Sequence, residues 1–266
     1  KGFCMQKVGV LRFLHITKSA LNPRKLIVML GKVYRRLFDK SALLTQNEYS
    51  EWLDSHGVKF EQWAGELSND LYQESLKFSD KLYSRAKIEL ANNPHDMGGG
   101  GLVHVLYFLT RYYSPKTIVE TGVASGYSSE AFLQAIKVNG NNAHLFSSDF
   151  PYFRFSNPES YIGQLVSDEL KGDWNLFVDG DDTNLKNIVN LISTIDFFHY
   201  DSDKSYTGRE KAFNTVRQYL SSKAIVMFDD INNNPHFYDF IQKNSIKNFV
   251  VIRHKGACVA GIAYWE

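Results

Sequence analysis

Short apolar runs alternate with helical patterns over the second half of the chain. Runs of three to six residues rich in Val, Ile and Phe are typical of buried parallel strands. Such runs lie at 117–119, 144–148, 174–178, 195–200 and 224–228. Two further apolar runs, 249–254 and 258–265, are joined around Lys255-Gly256-Ala257 and predict an antiparallel hairpin. This alternation predicts a doubly wound α/β fold.

Helical periodicity dominates the first part of the chain. Pro23 to Phe38 carries apolar residues at i, i+3, i+4 and i+7, which predicts an amphipathic helix. Asn47 to Trp52 and Phe60 to Leu90 show the same periodicity. We therefore expect an N-terminal helical extension over residues 1–97, acting as a lid or as plain scaffold, ahead of a main domain over residues 98–266.

Charge is distributed unevenly. Residues 1–40 hold ten Lys and Arg and one Asp, a balance of +9, so the remaining residues sum to −8. A basic amphipathic helix can bind an anionic membrane or an acidic partner. It can equally pack on the acidic body of its own chain or of a second subunit in a homo-oligomer. Packing is the favoured interpretation, because such an apolar stripe is most often used in tertiary contacts.

The composition is that of a globular enzyme, with 44% hydrophobic and 22% charged residues. Cys4 and Cys258 are far apart, so no disulfide framework is expected, which fits a reducing, cytoplasmic location. No apolar run approaches the length of a transmembrane helix, and no clear signal peptide follows Lys1.

The stretch from Lys116 to Ala131 has the strongest chemical pattern. A β-branched strand ends in Glu120, Gly122 and Gly126 follow, and a helical pattern begins. This order presents backbone N–H groups to a ligand at a helix N-terminus. Tyr127 stands where a phosphate-binding loop needs Lys, and the glycine spacing is not that of a dinucleotide fold. A carboxylate beside glycines suits a positively charged ligand, although an ordinary βα turn is the alternative.

The E-x-G-x-x-x-G pattern resembles the first motif of class I S-adenosylmethionine (SAM) methyltransferases, usually E/D-x-G-x-G-x-G. Ala124 stands at the middle glycine. The resemblance implies a Rossmann-like, doubly wound, seven-stranded mixed sheet whose last strand is antiparallel. It also implies SAM as the cofactor. The residues of this stretch that we assign to cofactor binding are Glu120, Gly122, Ala124, Gly126 and Ser128.

Three further acids are assigned to the cofactor. Asp149 ends the second strand of the core, where an acid can accept hydrogen bonds from both ribose hydroxyls of a nucleoside. A turn or helix cap is its alternative role, since Pro151 follows closely. In the methyltransferase pattern an acid after the third strand meets the adenine amino group. Asp181 and Asp182 match that position, or they cap the next helix.

A second motif lies on the fourth strand of the core. Residues 195–206 read IDFFHYDSDKSY, and residues 226–230 read VMFDD. Both resemble a methyltransferase subgroup that includes sugar and macrolide O-methyltransferases, with Lys204 where many members have His. The acceptor implied is a hydroxyl of a sugar or another polyhydroxy small molecule. No nucleic-acid partner is expected.

The acids of this motif predict a metal site. Asp201 ends one strand and Asp229-Asp230 ends the next, so their carboxylates should meet at one edge of the sheet. Like charges repel unless a cation neutralises them, and oxygen-only ligands suit Mg²⁺, with Mn²⁺ or Ca²⁺ as alternatives. Each acid could instead cap a turn or a helix.

A bound Mg²⁺ would lower the pKa of the acceptor hydroxyl and orient it. Asp203 is the predicted general base, and Lys204 ranks second because it would need a strongly depressed pKa. His199 and His236 are interpreted as a buried strand residue and a helix-start residue. The predicted activity is thus SAM-dependent O-methyl transfer. A non-catalytic SAM-binding protein and an NAD-linked oxidoreductase are the alternatives.

Overall fold

A computed structural model describes residues 21–37, 39, 42–93, 95, 97–150, 152 and 157–266. The helices are α1 (Pro23–Leu37), α2 (Gln46–His56), α3 (Phe60–Glu89), α4 (Val103–Tyr113), α5 (Tyr127–Asn139), α6 (Asp181–Val189), α7 (Tyr206–Val216) and α8 (His236–Lys243). The strands are β1 (Gly57–Lys59), β2 (Thr117–Thr121), β3 (His144–Ser148), β4 (Trp174–Phe177), β5 (Ile195–Tyr200), β6 (Leu220–Asp229), β7 (Phe249–His254) and β8 (Ala257–Tyr264).

These strands form one mixed sheet in the order β1-β7-β8-β6-β5-β2-β3-β4. Strands β6, β5, β2, β3 and β4 are parallel, and β8 runs antiparallel between β6 and β7. The predicted doubly wound fold with an antiparallel last strand is therefore confirmed. The strand order reverses between β2 and β5, which places a crevice at their carboxyl ends.

The predicted number of strands is wrong by one, because the described residues form eight rather than seven. The additional strand, β1, comes from the segment predicted as helical. It pairs in parallel with β7, and Gly57 lies opposite Val251. A three-residue link between two helices satisfies the backbone groups on the open edge of β7. So short a strand leaves no periodicity in the sequence.

Both faces of the sheet are covered, as the apolar composition of its parallel strands requires. On one face α4 and α5 bury Phe108 and Phe132 against strand residues such as Ile118 and Phe197. On the other face α6, α7 and α8 form a second core around Phe228. The strand ends are thereby held in fixed positions, and the loops that follow them build the candidate site.

The helices before α4 share these two cores. Phe60 and Leu82 of α3 are buried with the α4 and α5 side chains, and Tyr49 and Leu53 of α2 are buried on the opposite face. Thr45 begins α2 with a reciprocal capping box to Glu48. The boundary proposed between residues 97 and 98 stays a prediction.

Helix α1 begins at Pro23, as the periodicity predicts, and ends at Leu37, while the predicted last residue, Phe38, lies outside the described residues. Its Val28 lies beside Gly180, where a Cβ atom would be 3.3 Å from Val28 Cγ1. Ile27, Leu30 and Val33 are 69%, 59% and 54% exposed, so an apolar stripe of α1 faces outward. Residues 1–20 of the basic segment lie outside the described residues. Within the described chain, no helix has the length and apolar character needed to cross a membrane.

Candidate functional site

The turn after β2 depends on two glycines in the left-handed region. Gly122 has φ +85°, and a Cβ atom there would lie 2.1 Å from the carbonyl oxygen of Asp201. Gly126 has φ +96°, and its Cβ would lie 2.8 Å from Gly163 Cα. No side chain fits either position, because the obstacle in both cases is backbone. The glycine pattern therefore reflects a turn packed closely between two loops.

Ala124 occupies the same turn with φ 48°. A left-handed conformation costs an L-residue about 1–2 kcal/mol, so glycine would be favoured here, and alanine is a small departure from it. The Ala124 N–H donates to Asp149 Oδ2 at 2.8 Å, and the Phe150 N–H donates to Asp149 Oδ1 at 2.7 Å. The structure thus brings the acid after β3 directly against the glycine turn.

Helix α5 begins at this turn without a side-chain cap, because its N-cap residue is Gly126. The N–H groups of an uncapped first turn, together with the helix dipole, favour an anionic group such as a carboxylate. On the far side of Asp149, the Ser148 hydroxyl donates to Asp181 Oδ1 at 2.6 Å. Asp182 forms an ion pair with Lys211 of α7 at 2.7 Å.

Glu120 lies in the interior of the protein, beneath the turn. Its Oε1 accepts hydrogen bonds from the hydroxyls of Ser129 and Ser147, the latter at 2.6 Å. Its Oε2 is buried and has no hydrogen-bond partner. Burial raises the pKa of Glu120, against the opposing hydrogen bonds. The fully buried carboxylate therefore links the first turn of α5 to β3 beneath the glycine turn.

A second group of charges lies at the ends of β5 and β6. The buried His199 Nε2 is 3.8 Å from Asp229 Oδ2, and His199 is opposite Glu120 in the sheet register. Burial opposes the charge on His199, but Asp229, Asp201 and Glu120 outweigh it and raise its pKa. Burial and the nearby Asp229 raise the pKa of Asp201 to about 6.

Lys204 lies among the three carboxylates that the sequence predicts as metal ligands. Its Nζ contacts Asp201 Oδ1 directly and is 3.0 Å from Asp230 Oδ2. In the described part of the chain, no group of three His, Cys, Asp or Glu side chains is arranged to hold a metal ion. Asp201 and Asp230 both contact Lys204, and Asp229 lies beside His199. The structure does not support a metal site there, because an ammonium group already neutralises two of the three carboxylates.

The two predicted catalytic residues have different surroundings. Asp203 Oδ1 accepts a hydrogen bond from the Ser205 N–H at 3.1 Å, at the start of α7. Burial disfavours the charge on Lys204, but Asp201 and Asp230 more than compensate and raise its pKa. A lysine held as ammonium cannot accept a proton, so Lys204 is unsuited to act as the base. Asp203 stays a prediction.

Arg209 of α7 is the site residue that the sequence did not reveal. It is fully buried, and its Nη2 donates to the carbonyl oxygens of Asp229 and Asp230, both at 2.9 Å. Its Nη1 donates to Asn234 Oδ1 at 3.1 Å. The guanidinium therefore holds the turn that carries both acids. An arginine in an ordinary helical pattern gives no signal of such a role.

The two histidines agree with their structural interpretations. His199 is a buried strand residue, in edge contact with the Phe132 ring at 5.7 Å. His236 is buried and is the first residue of α8. A cavity of about 430 Å³ lies elsewhere, between α3, α4 and α5. It contains neither the glycine turn nor the carboxylates, so we do not assign it to the site.

Comparison with known proteins agrees with this geometry. Residues 119–231, from β2 through the Asp229-Asp230 turn, match the family model described as a methyltransferase domain. Comparison with the curated proteins gives no match. The fold is Rossmann-like, and the part of the chain that is similar to a methyltransferase domain includes the glycine turn and the acids after β5 and β6.

Solved structures share the fold at low sequence identity. An O-methyltransferase from Bacillus cereus in complex with SAH has a TM-score of 0.55 and 14% identity, over 80% of this chain and 100% of that chain. A methyltransferase from Geobacter sulfurreducens has a TM-score of 0.52 and 15% identity, over 70% and 88%. The Streptomyces achromogenes O-methyltransferase TomG, involved in tomaymycin synthesis and solved with SAM, has a TM-score of 0.51 and 14% identity, over 69% and 88%.

Proposed function

We propose that the protein is a SAM-dependent O-methyltransferase that acts on a hydroxyl group of a small polyhydroxy acceptor, such as a sugar. The observation that carries the proposal is the contact between the glycine turn and Asp149. The Ala124 N–H and Asp149 Oδ2 are 2.8 Å apart, so an acid suited to ribose hydroxyls lies beside an uncapped helix N-terminus. A match to a methyltransferase domain covers the same residues.

The polar groups around the glycine turn fit SAM. The uncapped N–H groups of α5 suit its amino acid carboxylate, and Asp149 suits its ribose hydroxyls. Asp181 is held by Ser148 near Asp149 and suits the adenine amino group. Gly122 and Gly126 let the turn pack closely against the backbone of Asp201 and Gly163. Glu120 orients the turn from beneath. When bound, SAM supplies an electrophilic methyl group on a sulfonium.

The chain's own residues would then position the acceptor and remove its proton. The acceptor hydroxyl would enter beside the ends of β5 and β6, where carboxylate oxygens of Asp201, Asp229 and Asp230 would accept its hydrogen bond. Asp203 is proposed as the general base, as its sequence position after β5 predicts. Its hydrogen bond to the Ser205 N–H would fix the orientation of its carboxylate.

Transfer of a labelled methyl group tests the activity. Incubation with methyl-labelled SAM and a panel of sugars, phenols and amines should label the hydroxyl-bearing acceptors alone. Asp203→Asn should reduce the rate at least about tenfold with unchanged SAM affinity, because the general base contributes roughly 10²–10⁴ to such reactions. Asp168→Asn is the matched control, since its carboxylate is 93% exposed. Labelling of amines only would contradict O-methyl transfer.

A non-catalytic SAM-binding protein is the second candidate. The observation that favours it is the environment of the two residues that the sequence predicts as catalytic. Asp203 is engaged at the start of α7, and Lys204 is held as an ammonium. Saturable SAM binding with no methyl transfer to any acceptor would support this candidate over the enzyme.

Membrane contact through residues 1–40 is proposed as an accessory property. The net charge of +9 in this segment and the exposed Ile27, Leu30 and Val33 suit an anionic lipid surface. The full chain should sediment with vesicles containing phosphatidylserine at low salt, and raised salt should release it. Removing residues 1–37 should abolish sedimentation. Failure of the full chain to sediment would favour packing instead.

A further inference from the structure

The charged side chains at the ends of β5 and β6 are paired mainly with one another. Asp201, Asp229 and Asp230 supply negative charge, and Lys204 lies between two of them. His199 approaches Asp229 from inside the protein at 3.8 Å. The carboxylates therefore have cationic partners within the chain.

The position of Lys204 is built into the backbone around it. Its carbonyl oxygen accepts a hydrogen bond from Asn234 Nδ2 at 2.7 Å, and the Tyr200 hydroxyl donates to the carbonyl of Asp203 at 3.0 Å. Asn234 is in turn held by Arg209, which also binds the carbonyls of Asp229 and Asp230. The loop that carries the ammonium and the turn that carries the acids form one hydrogen-bonded unit.

We propose that the Lys204 ammonium takes the place of a divalent cation among Asp201, Asp229 and Asp230. A divalent ion of the Mg²⁺ or Mn²⁺ class would need oxygen atoms that Lys204 already contacts. The ion and the ammonium would then repel each other at close range. Lys204 is thus a positioning residue that neutralises the acids and keeps the cluster free of metal. Its consequence for catalysis rests on the proposed function, but its effect on metal binding does not.

Binding of Mn²⁺ to the full chain tests this directly, with the free Mn²⁺ signal followed by electron paramagnetic resonance. Lys204→Met keeps an unbranched side chain that is one atom shorter and removes its charge, so this variant should bind Mn²⁺ at least about tenfold more tightly than the wild type. The double variant Lys204→Met with Asp229→Asn should lose that gain. Lys211→Met is the matched control, since Lys211 pairs with Asp182 away from the acids, and it should behave like the wild type.

Two results would overturn the proposal. One is Mn²⁺ binding by the wild type that Asp229→Asn abolishes, which would show that Lys204 does not exclude the ion. This comparison of the wild type with Asp229→Asn needs no Lys204 variant, so it can be made even if Lys204→Met fails to fold. The other is a folded Lys204→Met variant that binds no better than the wild type. Neither result depends on SAM, so failure here is distinguishable from failure of the proposed methyl transfer.

Discussion

Gly126→Ala is expected to reduce SAM affinity at least about tenfold, a loss of roughly 1.4 kcal/mol. The added methyl group would lie 2.8 Å from Gly163 Cα and 3.1 Å from Val166 Cγ2. Since Gly163 is backbone, the turn itself must move, and the N–H groups of α5 move with it. Calorimetric titration of the purified variant with SAM measures the effect.

The other end of the same helix supplies a matched control. Gly140 closes α5 with φ +59°, and a Cβ atom there would meet nothing within 4 Å. Gly140→Ala should lower the free energy of unfolding by about 1–2 kcal/mol, which is the cost of a left-handed conformation for an L-residue, and it introduces no steric clash. It should leave SAM affinity unchanged. Equal losses of affinity in the two variants would show that backbone strain, rather than the geometry of the turn, controls binding.

Arg209→Met is expected to lower the free energy of unfolding by about 3 kcal/mol or more. The change leaves the carbonyls of Asp229 and Asp230 and the side chain of Asn234 without their buried donor. In chains of this size each kcal/mol corresponds to roughly 2–4 °C in melting temperature. Thermal unfolding followed by circular dichroism measures the shift.

Arg217, at the end of α7, is an exposed control from the same part of the chain. Arg217→Met should change stability by no more than about 0.5 kcal/mol. If Arg209→Met melted at the wild-type temperature, the guanidinium would not be holding the acid-bearing turn. The structural explanation for the position of Asp229 and Asp230 would then fail.

Periodicity in the sequence was sufficient to place most of the fold. The β-branched run at Thr117 and the apolar run at Ile195 begin strands where the pattern predicts them. The closing hairpin also follows from its two apolar runs. Strand β1 could not be predicted, because three residues carry no periodicity and its pairing depends on the distant β7.

The candidate site was only partly predictable. Strand ends at one edge of a parallel sheet must converge, which brings Asp201 and Asp229 together. The contacts that each side chain makes could not be predicted from the positions of the strand ends. Glu120 is directed inward because serines of α5 and β3 reach it there. Lys204, in the loop after β5, is directed toward Asp230, which follows β6, and sequence spacing does not reveal contacts between loops so far apart in the chain.

Titration of the full wild-type chain with SAM, and separately with NAD⁺, tests the central claim most directly. The geometry of the glycine turn and Asp149 predicts saturable SAM binding at one site per chain, with no heat of binding from NAD⁺. Binding of NAD⁺ in preference to SAM, or no binding of SAM, would contradict the assignment of this site to a methyltransferase.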